Sequence, residues 1–197
     1  MSRASWWILA LILGIMGGIA LWQHTRSSMP VYTSLTSQQL HVRFEYPEGW
    51  KVHEVTKPMR GEVGEVQIFG PRREDLKYSL YLDVKAESVN SPTGEPPPLE
   101  QALKAALAER QHLPSYHVLE QQATRCAGQP AARILASYQL ALPLQAAMRK
   151  SVEFRELVVY CVQRGWLFSL TYAAPAENFE QHQHAFEHLV KSVSFLH

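Results

Sequence analysis

The stretch FEYPEGWKV, Phe44 to Val52, decides how the rest of the chain is read. Leading into it, Leu40, Val42, Phe44 and Tyr46 alternate with His41, Arg43 and Glu45, a period of two that sets the apolar residues on one face of a strand. Pro47 ends that strand. Its fixed φ and the permissive backbone of Gly49 are what a tight turn requires, and Trp50 with Val52 restarts an apolar face. Tyr46, Pro47, Gly49 and Trp50 therefore form a structural corner, with Trp50 capping a core. Glu45 and Glu48 flank it, but chain reversal accounts for the corner without a pair of catalytic carboxylates.

Working outward, alternation returns in Glu62 to Phe69 and again at Tyr78, Leu80, Leu82 and Val84, which predicts further antiparallel strands. Asn90 to Pro98 (NSPTGEPPP) has the composition of a surface loop and leads into LEQALKAALAERQHL. There Leu99, Ala102, Leu103, Ala106, Leu107 and Leu113 recur at three and four, one apolar helix face, with Pro98 suited to the first turn. Four strand-like stretches follow, roughly Tyr116 to Ala127, Ala131 to Leu142, Ser151 to Gln163 and Trp166 to Ala173. Gly128-Gln129-Pro130, a loop around Pro143, and Arg164-Gly165 mark three reversals, so this half reads as a meander of hairpins. Pro175 opens a last helix through AENFEQHQHAFEHLVKSVSF, in which Phe179, Phe186, Leu189, Val190 and Val193 share a face. The residues thus predict an α+β domain.

Toward the amino terminus the character changes. Trp6 to Trp22 is WWILALILGIMGGIALW, free of charge and about 25 Å long as a helix, with Trp6, Trp7 and Trp22 at the two ends where indoles favour the bilayer interface. A single transmembrane anchor is one reading; a cleaved signal with Gly18-Ile19-Ala20 at the cleavage site is the other. No cysteine stands directly after the segment, which excludes a lipid-modified amino terminus. The amino terminus and Arg3 before it, against Arg26 alone after it, give a bias toward a cytoplasmic amino terminus and an extracytoplasmic domain. Gly14 and Gly18 make a GxxxG pattern through which two such helices can pair into a homodimer. The expected organisation is an anchor over residues 1–23, a polar tether over 24–37 and a folded domain over 38–197.

Arg3 and Arg26 are the only charged side chains before residue 30, and without them 17 basic face 18 acidic residues. That balance gives no electrostatic footprint for nucleic acid. The 46% hydrophobic content, with five Trp, eight Tyr and seven Phe, suffices for a real core. Cys126 and Cys161 are the only cysteines, each within a strand-like stretch and both approaching the sheet near Pro130 if the hairpins pair as read. An oxidising compartment permits a disulfide between them; two free buried thiols are the alternative.

The sharpest chemical pattern is His184-Ala185-Phe186-Glu187-His188, which fits H-x-x-E-H, with His184 and His188 one helical turn apart as zinc ligands and Glu187 able to activate water. Three facts stand against it. Phe186 lies on the buried face, far around the helix from His184, so the histidines should face solvent. Only nine residues follow His188, leaving no place for a downstream acidic ligand, and the chain is short for such an enzyme. Among enzyme signatures, neither a G-x-S-x-G elbow, a phosphate-binding glycine loop nor a dinucleotide fingerprint is present.

The Phe44-to-Trp50 corner, the Gly128-Gln129-Pro130-Ala131 turn, the run Gly165-Trp166-Leu167-Phe168-Ser169-Leu170-Thr171-Tyr172 and the ending Val190-Lys191-Ser192-Val193-Ser194-Phe195 together resemble the PsbP-like family. That family includes extrinsic proteins of photosystem II and periplasmic relatives such as DcrB-like proteins. The resemblance spans residues 38–197 and implies an α/β/α sandwich around a central antiparallel sheet. It implies no activity: such proteins are non-enzymatic binding or accessory components of larger, often membrane-bound, assemblies. No metal or cofactor residue carries over. One departure is the membrane segment, since the photosynthetic members are lumenal proteins with cleaved targeting peptides.

The leading expectation is a non-catalytic accessory protein of the inner membrane, bound to the bilayer through residues 6–22, whose extracytoplasmic domain stabilises or assembles a membrane protein complex, a photosynthetic one among the candidates. Its recognition surface is expected in loops, including Asn90 to Pro98 and Pro71 to Lys77. A binding module for an apolar small molecule or lipid is the second reading, and metal-dependent hydrolysis on the last helix the third.

Overall fold

The computed structural model describes residues 30–55, 62–73, 78–89, 95–144 and 148–196. The membrane segment, with Gly14 and Gly18, and most of the two expected recognition loops lie outside them. Among the described residues no helix is long and apolar enough to cross a membrane.

Tyr32 to the carboxyl end makes one compact unit by itself. Its backbone is a seven-stranded antiparallel sheet in the order β3-β4-β5-β9-β8-β7-β6, from β3 (Lys51–Val55), β4 (Glu62–Arg73), β5 (Tyr78–Ser88), β6 (His117–Cys126), β7 (Gln129–Leu144), β8 (Met148–Gln163) and β9 (Trp166–Pro175). A smaller sheet joins β1 (Tyr32–Ser37), β2 (Val42–Pro47) and β10 (Ser194–Phe195) in the order β1-β2-β10. Two helices complete the fold, α1 (Leu99–Arg110) and α2 (Phe179–Ser192). It is the α+β class that the alternating strands and two amphipathic segments predict.

The meander is as read. Cys126 pairs with Gln129 and Gln163 with Trp166, closing two-residue turns through Ala127-Gly128 and Arg164-Gly165. Each turn residue has positive φ (47° and 81°, 52° and 78°), the geometry whose twist matches that of the flanking strands. At the opening corner the Trp50 amide donates to the Pro47 carbonyl and Gly49 sits at φ 82°, a conformation that glycine adopts freely. Trp50 packs on the core where a Cβ on Gly70 would fall 2.9 Å from its Cη2 and 2.5 Å from Leu80 Cδ1, so the missing side chain at Gly70 makes room for both.

The two sheet faces bury different layers. On one, α2 and the small sheet supply Phe179, Phe186, Leu189, Val42 and Phe44 against Ile68, Leu82, Leu170 and Tyr172. Full burial of each large apolar side chain stabilises by about 1.5–3 kcal/mol. On the other, α1 buries Ala102 and Leu103 against Ile134, Ala136, Val158 and Tyr160. Helices therefore lie on both faces of the central sheet.

Four boundaries differ from expectation. Residues 32–37, assigned to the tether, form β1, because register pairing of Tyr32 with Pro47 through Ser37 with Val42 stabilises a stretch with little apolar pattern of its own. Helix α1 stops at Arg110 and not near Leu113: Pro114 disfavours helical geometry at the residue before it, and the last turn tightens as the Leu113 amide donates to the Arg110 carbonyl at 3.0 Å. Pro143 lies within β7, opposite Arg149 of β8, and not in a loop. It is tolerated because β6 pairs with β7 only as far as Ser137, so no neighbour on that side needs its missing N–H. The last helix ends at Ser192, where Val193 turns extended and the chain joins β2 as β10.

Candidate functional site

Helix α2 carries the H-x-x-E-H pattern, but its three side chains diverge. His184 is exposed. Glu187 Oε1 accepts from Arg133 Nη2 of β7 at 2.7 Å, and Gln183 Nε2 donates to the same oxygen at 3.3 Å. His188 Nε2 pairs with Glu45 Oε2 of β2 at 2.7 Å, and the ring of Tyr32 stacks on its imidazole at 3.6 Å between centroids. The expectation that both histidines face solvent thus holds for His184 and in part for His188, whose side chain is 36% exposed while Glu45 and Tyr32 hold it. The small sheet runs alongside the helix, and periodicity within one segment carries no signal for that neighbour. Ser192 adds to this clamp, its hydroxyl accepting from the Glu45 amide at 2.8 Å. Among the described residues no cluster of three or more His, Cys, Asp or Glu is arranged to hold a metal ion.

Cys126 and Cys161 are both free, at 1% and 0% exposure, and share the core beneath α2. Their thiols hydrogen-bond to each other; that bond pulls the Cys126 thiol down and, together with burial, pushes the Cys161 thiol up. Ala131 of β7, paired with both Thr124 and Cys161, lies between the two strands, near Pro130 as expected.

On the α1 face the register lines up polar residues that sequence reading passed over. Tyr81, Ala173 and Glu156 form one cross-strand row, Asp83, Thr171 and Val158 the next, and Lys85, Ser169 and Tyr160 a third. Glu156 is wholly buried; its Oε2 accepts from Arg110 Nη1 at the end of α1, while its Oε1 has no hydrogen-bond partner. Burial outweighs the attraction of Arg110 and holds the Glu156 carboxyl above its usual range. Asp83, 8% exposed, is held well above its usual range by burial and then by the neighbouring Glu65. Burial followed by the charges of Glu156 and Asp83 raises the Tyr81 hydroxyl to about 12. Asp83 Oδ1 and Thr171 Oγ1, on directly paired residues, both lack partners. The signal for this cluster is a carboxylate at an inward position of an apolar alternation, as in Phe154, Glu156, Val158, Tyr160. Beside it α1 roofs a cavity of about 250 Å³ lined by Lys85, Glu87, Glu109 and Arg110, in which Arg110 pairs with Glu156 and Lys85 with Glu87.

A second cavity, about 260 Å³, opens where the β8–β9 turn, the β1–β2 turn and β10 meet. Trp166, expected as a structural residue beside Gly165, is a half-buried wall of it, with Phe168 below and Phe195 opposite. Ring centroids run His41 to Trp166 at 6.1 Å, Trp166 to Phe168 at 6.2 Å and Phe168 to Phe195 at 4.8 Å.

The remaining feature is β6. It ends the sheet and pairs only with β7 among the described residues. From His117 to Ala123 every residue is exposed, whichever face it points to, with Val118 at 44% and Leu119 at 53%.

No family model matches the chain, and no curated protein is found similar to it. Solved structures are similar in architecture. Cyanobacterial PsbP (CyanoP) from Synechocystis sp. PCC 6803 has a TM-score of 0.52 at 13% identity, covering 86% of this chain and 95% of its own. The fold is PsbP-like. LpqN, involved in cell envelope biogenesis of Mycobacterium tuberculosis, has a TM-score of 0.55 at 13% identity, covering 87% and 94%. The Ran-binding protein Mog1p of Saccharomyces cerevisiae has a TM-score of 0.53 at 10% identity, covering 85% and 97%. At these identities the likeness is one of fold alone.

Proposed function

We propose that this chain is a non-catalytic accessory protein, tethered to a membrane through residues 6–22 with its domain on the extracytoplasmic side, that binds and stabilises or assembles a membrane protein complex. The observation that carries this reading is the open β6 edge. Its outward backbone N–H and C=O groups are a template for one more strand, and proteins ordinarily blunt such an edge with lysine, proline or a cover. β6 contains neither residue and exposes Val118 and Leu119; its protection is confined to a bulge at Leu119 and the charges of Glu120 and Arg125. The occupant that fits is an extended segment of a partner subunit, added by backbone hydrogen bonding with alternate apolar side chains for specificity. Among structures of similar fold, one is named a Ran-binding protein and another is involved in cell envelope biogenesis.

The test is purification of the full chain from native membranes in mild detergent, beside a Val118→Lys, Leu119→Lys variant that charges the edge. Co-purifying membrane subunits, lost in the variant, are expected. Recovery of a lone monomer or of a homodimer alone refutes the reading. The second reading, binding of an apolar small molecule, is favoured by the aromatic cavity between the β8–β9 turn and β10.

A further inference from the structure

We infer that the end cavity is a binding site for small aromatic or short-chain acyl carboxylates, whether or not a partner occupies β6. Its floor is apolar and buried, Leu40 at 1% and Phe168 at 3% exposure, while the rings of Trp166 and Phe195 stay half-exposed above a space of about 260 Å³. Apolar and aromatic surface beside an unfilled volume is what a flat apolar group covers. The volume is modest, enough for a bicyclic ring or a short chain of about a dozen heavy atoms.

Charge at the rim selects among such groups. Arg164 and His41 stand there, and none of the described residues lining the cavity is acidic. Arg164 Nη1 donates to a neutral acceptor, the Leu196 carbonyl, at 3.2 Å, so the guanidinium keeps its charge and donors for an oxyanion. An aromatic box alone also suits an ammonium group, but here the rim cation repels it.

Backbone conformation points the same way. His41 and Arg164 have φ of 49° and 52°, where a side chain is disfavoured and where glycine or asparagine serves a turn at less strain. The chain nevertheless carries His41 and the rim cation Arg164 at these positions. Strain of this kind persists where surrounding structure enforces it, and it gathers at ligand clamps.

The experiment uses the full chain in mild detergent, titrated calorimetrically with indole-3-acetate, indole and tryptamine, which share a ring and differ in charge. Indole-3-acetate is expected to bind one per chain and tryptamine at least tenfold more weakly. Arg164→Asn keeps a residue tolerant of positive φ and removes only the guanidinium; it should weaken indole-3-acetate about tenfold and leave indole unchanged. Equal affinity for tryptamine, an unaffected Arg164→Asn variant, or no saturable binding of indole-3-acetate to the parent chain would each overturn the assignment.

Discussion

Replacing Arg110 with Met tests what holds α1 to the sheet. The Glu156 side chain has no exposed surface, Arg110 is its ion-pair partner and its second oxygen has none, so the variant leaves a carboxylate with no counter-charge in a desolvated site. Removing one partner of a buried pair costs about 3–5 kcal/mol, whereas replacing both with apolar groups of similar volume is close to neutral. Arg110→Met should therefore lose about 3–5 kcal/mol at neutral pH, and Arg110→Met with Glu156→Leu should recover most of it. The single variant's deficit should also shrink as pH falls, because protonation of Glu156 removes the stranded charge. The deficit changes by about 1.4 kcal/mol per pH unit between the variant's folded-state pKa and the parent's, which burial already raises, and is constant below that. Urea unfolding of the chain in mild detergent, followed by the circular dichroism of the sheet, measures all three quantities. A single-variant cost below about 1 kcal/mol, or a double variant no better than the single, would refute the reasoning.

Three other predictions follow from particular contacts. Asp83 has a raised folded pKa, so its stabilising balance is fullest below the unfolded value of about 3.9 and is lost as pH climbs toward the folded value; Asp83→Asn should match the parent near pH 4 and exceed it progressively in unfolding free energy at higher pH, and parallel pH profiles would dismiss the idea. Gly70→Ala sets a Cβ 2.5 Å from Leu80 and 2.9 Å from Trp50, so its unfolding free energy should drop by about 1–3 kcal/mol, with an unchanged value contradicting the close approach. Cys126 and Cys161 stand on either side of β7, about 10 Å apart at strand spacing and beyond a disulfide's reach, so glutathione disulfide should leave both able to alkylate after unfolding, and a mass lower by two hydrogens would contradict the register.

Much of the architecture was legible because the local chemistry and the tertiary pairing agree. Gly128 and Gly165 mark tight turns, the flanking strands alternate, and Phe179, Phe186 and Leu189 repeat at helical spacing. What was not legible depends on neighbours distant in the chain. β1 has a polar sequence and exists through β2; Ser194 and Phe195 continue the last helical pattern yet pair with Arg43 and Val42. The same holds for site residues. His188 looks solvent-facing on its helix until Glu45 and Tyr32 are set beside it, and Glu156 looks like one more surface charge of a strand until α1 covers it. Trp166 was legible as a structural residue, but the space beside it arises from the meeting of two turns and β10.

The place of β9 in the sheet sets an order of events for a chain made from its amino end. β5 finds its inner neighbour only when β9 arrives, Tyr81 against Ala173 and Ser88 against Trp166, after α1 and three whole strands have been synthesised in between. Until then the leading strands are a fragment with its inner rim and apolar side unsheltered, the sort of intermediate that aggregates. The carboxyl-terminal hairpins, built from sequence neighbours, assemble quickly by comparison. Release of the nascent chain and late insertion of β9 are thus the step at which a holding chaperone has most to do.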